Sequence, residues 1–245
     1  MKKINELFKP VNLTKGSVWK VIAGFSVPIL ISYLFQQIYT IADAAICGKF
    51  LSENQVAGVN NTGTIVFLVL QFAFGCTAGF SVITSKHSGQ KNIGAIRRSL
   101  ATQIVLSFII GVILTAVSIL SINPLLKGIG LQASANPVQN EIYRSAYVYV
   151  YIIFAGCLAQ IFYNLSASFL RSVGDSFAPL IFLIVSAVLN IALDLLFIAV
   201  FHTGVAGAAI ATIISQAISA IGCFVYTFAR YKDCLLYTSP SPRDA

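Results

Sequence analysis

The chain has 245 residues, of which 57% are hydrophobic and only 10% charged, with a mean hydropathy of +0.84 and a net charge of +8. A soluble domain carries about a quarter charged residues, whereas apolar runs of bilayer-spanning length, about 20 residues each, recur along this whole chain. A soluble globular domain is therefore excluded, as is a transmembrane β-barrel, because dyad alternation is missing; the basic residues sit between apolar runs, which makes them topology signals and not a nucleic-acid footprint.

In chain order, residues 1–20 read as a basic, amphipathic cytoplasmic N-terminus. The apolar run after it is long and lacks an A-x-A-like cleavage site, so it reads as a retained helix and not a signal peptide. Six spans follow: Val21–Ile46, Val56–Thr84, Ser99–Ile122, Ile142–Leu170, Phe177–Phe201 and Val205–Phe228. With the N-terminus inside, twelve basic residues, among them Lys86, Arg97, Arg98, Arg171 and Arg230, fall in inner segments, against Lys49, Lys127 and Arg144 outside. That bias predicts both ends in the cytoplasm. Residues 21–233 form one six-helix bundle. From Cys234 the string CLLYTSPSPRD matches a translated sequencing-library adapter over eleven residues. Residues 234–245 are accordingly expected to be an adapter-derived, non-native tail.

Of the eight acidic residues, only Asp43 and Asp194 lie well inside spans. A carboxylate in hydrocarbon costs roughly 2.5–3.5 kcal/mol on insertion scales, so it is expected to face a bundle interior or a wet cavity. Gln36, Tyr39, Thr40 and Asp43 stand at i, i+3, i+4 and i+7 on one face of the first helix. Ser186, Asn190 and Asp194 make a stripe on the fifth span, and Gln160, Asn164 and Ser168 one on the fourth. Neutral polar groups often serve only as interhelical glue, at roughly 0.6 kcal/mol per bond, and that reading suits Gln160, Ser168, Ser186 and the TIISQAIS face of the sixth span. Glue has no need of an ionisable group, so Asp43 and Asp194 point to ion or substrate handling.

Other features are weaker. Tyr143, Tyr147, Tyr149 and Tyr151 read as an interfacial aromatic belt, with cation contacts from Tyr147 or Tyr151 as the sharper alternative. Pro28 and Pro179 are candidate kinks. The five cysteines have no metal-ligand spacing, and the four in or beside spans behave as small hydrophobes.

The segments PILISYLFQQIYTIADAAICGKFL, FLRSVGDSFAPL and LNIALDLLFI, followed by GVAGAAIATIISQ, resemble the amino-terminal half of the multidrug and toxic compound extrusion (MATE) family, in order and across nearly all of residues 10–232. The resemblance implies an all-α polytopic fold of twelve helices in two six-helix lobes, of which this chain holds one, with the second lobe expected beyond about residue 233. It implies a multi-pass protein of the bacterial cytoplasmic membrane that exports organic cations by proton- or sodium-driven antiport. By position, it makes Asp43, Asn164, Asn190 and Asp194 an ion and substrate cavity, supported by Gln36, Tyr39, Thr40, Gln160 and Ser186. Sodium is a possible ligand of Asp43, Asn190 and Asp194, and no cofactor is expected. Ala167 stands where some members carry a second fourth-helix Asn. The expected partners are the bilayer, a small cationic substrate and the missing lobe, with no nucleic acid.

A lipid-linked-glycan flippase of the same superfamily is the nearest alternative, but it is expected to place basic residues in its cavity, and none falls mid-span. An intramembrane prenyltransferase would need paired Asp residues holding Mg²⁺, whereas Asp43 and Asp194 are single and separated.

Overall fold

A computed structural model describes residues 17–231. Most of the expected N-terminal segment and all of the expected tail lie outside the described residues. The described residues fold into helices without strands: α1 (Val18–Phe50), α2 (Glu53–Gly89), α3 (Ile93–Leu120), the short α4 (Ile122–Gly128), α5 (Pro137–Ala155), α6 (Cys157–Ser172), α7 (Phe177–Asp194) with a π-helical continuation (Leu195–Val200), and α8 (Val205–Arg230). Each of the six expected spans is helical; the first, second, fourth and sixth run a few residues past their expected ends, the third starts at Ile93 and stops at Leu120, two residues before its expected end, and the fifth stops at Val200, one residue before.

The helix ends are satisfied locally. At α2 the Gln55 N–H donates to Ser52 Oγ (3.3 Å) while the Ser52 N–H donates to Gln55 Oε1 (3.2 Å), a reciprocal capping box. The Glu141 carboxylate of α5 then accepts from the Ser52 hydroxyl (3.1 Å) and from Asn54 Nδ2 (2.7 Å), tying the α1–α2 turn to α5. At α7 the Asp175 carboxylate accepts from the Ala178 N–H (3.0 Å) and the Tyr226 hydroxyl (3.1 Å), which pins the loop before α7 to α8.

The fourth span is not the single helix expected: α5 and α6 meet at a 46° bend around Gly156. A side chain at that position would overlap Ile213 of α8, so the close crossing of α6 over α8 requires glycine there. Pro28 sits inside α1, which runs unbroken to Phe50, and Pro179 occupies the first turn of α7, where its missing N–H costs nothing.

α6 and α8 form the centre. Leu165, Phe169 and Leu170 of α6 are fully buried, and the small residues Ala208, Ala209 and Ala211 let α8 approach closely. α1 is peripheral and presents Leu34, Ile38 and Ile41 outward, as a helix does when lipid tails are its solvent. Near the inner ends of α2 and α3, the hydroxyls of Thr84 and Ser99 are 2.7 Å apart, and Gln103 Nε2 donates to both.

Candidate ion and substrate cavity

Asp43 lies two turns before the end of α1, partly buried, and the Cys47 thiol one turn on donates to its Oδ1 (3.8 Å). From α1 it reaches the carboxyl of Asp194 on α7. Asp194 is 0% exposed, and neither of its oxygens has a donor among the described residues. Its neighbour Asp43 offers none when ionised, because a carboxylate only accepts. One turn back, Asn190 donates from Nδ2 to Thr212 Oγ1 on α8 (3.4 Å), and the Thr212 hydroxyl donates to the Ala208 carbonyl (3.1 Å). The Asn190 Oδ1 and, one turn along α8, the Gln216 Oε1 are also buried without donors. Uncompensated buried acceptors are costly, and this cluster holds several of them in one place.

α7 changes character at this spot. Immediately after Asp194 the backbone becomes π-helical, and the Phe201 N–H reaches back five residues to Leu196 O (2.9 Å). Such segments often occur at functional sites.

Two adjoining cavities run beside these residues. The smaller, about 170 Å³, is bordered by Asp43, Tyr149, Gly156 and Ile213. The larger, about 460 Å³, is bordered by Ser32, Gln36, Gln37, Asn164, Ala167 and Arg171, with Phe67, Phe74 and Leu183 as apolar wall. Tyr39, Thr40, Gln160, Thr212 and Gln216 border both.

The stripes read from sequence therefore divide. Asp43 borders the small cavity; Gln36 and Asn164 border the large one; Tyr39, Thr40 and Gln160 join the two. Asn190 and Asp194 stand behind the wall, and Ser186 is buried among helices without bordering either cavity.

Three residues take places the sequence reading did not give them. Thr212 and Gln216 belong to the TIISQAIS face read as glue. Of its other members, Ser219 does act that way, donating to the Phe182 carbonyl of α7, whereas Ser215 donates back to the Thr212 carbonyl within α8. The spacing of Thr212 and Gln216, one helical turn apart, was the available signal. Tyr149 is not part of the tyrosine belt. Tyr143, Tyr147 and Tyr151 repeat every fourth residue and follow one another at 6.2 and 6.3 Å between ring centres. Tyr149 falls on another face and turns inward, next to Asp43 and Asp194. Arg171, assigned to the cytoplasmic end of its span, borders the larger cavity. The absence of a basic residue at mid-span therefore does not keep positive charge out of the cavity, because Arg171 shares the face of α6 on which Gln160, Asn164 and Ala167 border it.

Six apolar spans around two cavities bordered by polar side chains, with the buried Asp194 set against the half-buried Asp43, define a polytopic helical membrane protein of transporter type. The MatE family profile matches residues 28–196, and the chain belongs to that family. It is 30% identical over 217 residues to the "Probable multidrug resistance protein YoeA" of Bacillus subtilis (strain 168), covering 87% of this chain and 45% of the relative. It is 31% identical over 211 residues to the "Probable multidrug resistance protein YpnP" of the same organism, covering 86% and 46%. The fold superposes with a TM-score of 0.83 on an outward-facing multidrug resistance MATE family transporter of the MOP superfamily, at 24% identity, over 96% of this chain and 52% of that one. The chain spans about half the length of the curated relatives it matches. The family is one of multidrug efflux transporters, which favours the transport reading over the enzymatic one.

Proposed function

We propose that this chain is the amino-terminal lobe of a cation-coupled antiporter that exports organic cations or drugs, with a second six-helix lobe completing the transporter. The observation that carries this reading is the orphaned carboxylate of Asp194, lying against Asp43 at the edge of a cavity. With Asn190 Oδ1 beside them, the pair forms a set of oxygen acceptors without donors. A proton bridging the two carboxyls, or a sodium ion among these oxygens, would satisfy them. An empty site would carry negative charge and favour a cationic substrate from inside. Ion entry from outside would neutralise it and favour release. A membrane potential supplies about 2.3 kcal/mol per charge per 100 mV, and one pH unit about 1.36 kcal/mol. Either drives roughly tenfold or greater accumulation per coupled charge. Rocking of the two lobes about the midplane would then give alternating access.

The test is gradient-driven efflux of ethidium from proteoliposomes containing the complete two-lobe protein, imposing a proton or a sodium gradient in turn. Asp43→Asn is expected to abolish efflux with membrane insertion intact. Undiminished efflux by that variant sinks the mechanism.

A further inference from the structure

Among the described residues, one charged residue borders the larger cavity, and it is basic. Arg171 sits in the last turn of α6, eleven residues beyond Gln160, which is about 16 Å of helix from the junction with the smaller cavity. Its Nε–H is buried with no acceptor among the described residues. The carboxylate four residues on, Asp175, is committed to the Ala178 N–H and the Tyr226 hydroxyl. The Tyr163 hydroxyl, also on the cavity wall, is spent on the Pro179 carbonyl (3.2 Å). Asp43 borders only the smaller cavity, at the other end. A buried guanidinium N–H without an acceptor is costly, and a planar anionic oxygen group is the ligand that matches its fork.

We infer that Arg171 forms an anion subsite at the cytoplasmic end of the larger cavity, so that this chain takes amphiphiles with a carboxylate, phosphate or sulfonate at one end and an apolar or cationic body at the other. The inference rests on the proposed function in treating this cavity as the substrate site. The body of such a molecule would lie against Phe67, Phe74 and Leu183, a wall suited to an aromatic framework. A cationic group on it would extend toward Asp43. The site is thus bipolar, and a zwitterion meets both ends.

The experiment compares rhodamine B, a zwitterion bearing a carboxylate, with its ethyl ester, which keeps only the cation. Equilibrium binding of each is measured by fluorescence anisotropy on the complete two-lobe protein in phosphatidylcholine nanodiscs, without any ion gradient. The native chain is expected to bind the zwitterion about tenfold more tightly than the ester, as one charge-assisted pair predicts. Arg171→Gln is expected to erase that preference by weakening the zwitterion, while the ester, relieved of a like charge, binds no more weakly than before, and Arg171→Lys is expected to keep part of it, since Lys retains the charge and loses the fork. Thermal melting of both variants separates a lost subsite from a lost fold. Repeating the titration with some phosphatidylglycerol in the disc identifies the source of the anion. An unchanged preference in the native protein assigns the subsite to a small solute, and loss of that preference on adding phosphatidylglycerol assigns it to a lipid headgroup. Equal binding of the two dyes by the native chain overturns the inference, as does a preference that survives in Arg171→Gln. Failure of ion coupling at Asp43 would leave this gradient-free preference unaltered, so the two readings fail separately.

Discussion

Thr84, Ser99 and Gln103, between α2 and α3, and Asp43, Asn190 and Asp194, between α1 and α7, are both polar clusters set among lipid-facing helices. In the first, the two hydroxyls bond each other and the Gln103 amide donates to both, leaving only Gln103 Oε1 without a partner. In the second, both oxygens of Asp194 and the Oδ1 of Asn190 are left over, and no described residue supplies the donors. A cluster that satisfies itself holds helices together. A cluster with surplus acceptors is built to receive something positive. Burial and polarity are shared, so the distinction lies in the donor count.

That contrast can be broken by substitution. The largest effect belongs to Asp194→Asn, which supplies an amide donor where none exists and removes the charge. Gradient-driven efflux by the complete protein is expected to fall to background with expression retained, and transport at the native rate would make the second cluster glue like the first. Thr212→Val is milder. It removes the hydroxyl that holds the Asn190 amide, and the ion concentration for half-maximal efflux is expected to rise about fivefold, the worth of one hydrogen bond. Unchanged ion dependence would remove Thr212 from the site. Gln103→Leu is the smallest. It costs roughly 0.6 kcal/mol, read as a slight drop in melting temperature, and leaves efflux unchanged. A large loss of transport there would erase the distinction from the other side.

The spans were legible because length and hydropathy are set by the bilayer and depend on little else. Asp43 and Asp194 were legible for a related reason: an acid in hydrocarbon stands out against its neighbours. What sequence did not disclose depends on pairwise geometry. Gly156 sits in an apolar run with no Pro or polar break, and its role emerges only when Ile213 is found pressed against it. Arg171 was legible in a way that was not used: Gln160, Asn164, Ala167 and Arg171 stand at i, i+4, i+7 and i+11, one face of α6, and all four border the larger cavity. Tyr149 was grouped with its neighbours because four tyrosines at short spacing resemble a belt, although the period-four set leaves it on another face. Thr212 and Gln216 were read with the serines beside them, since a polar helix face does not declare which members find carbonyls and which find a cavity.

The π-helical turn after Asp194 bears on how the site tolerates change. One extra residue per turn shifts the phase of everything downstream without disturbing what lies upstream. Asn190 and Asp194 therefore keep their inward phase, while the chain still reaches the tight corner at Gly204 (φ 65°), which backs onto the Gln55 side chain of α2. Deleting any one residue of Leu195–Val200 is expected to restore ordinary α-helical winding and remove the wide turn beside the carboxylate while the corner keeps nearly its present direction, because five α-helical residues turn the chain about as far as six π-helical ones. The segment is a phase adjuster: it takes up one residue of chain locally, between the carboxylate and the corner at Gly204.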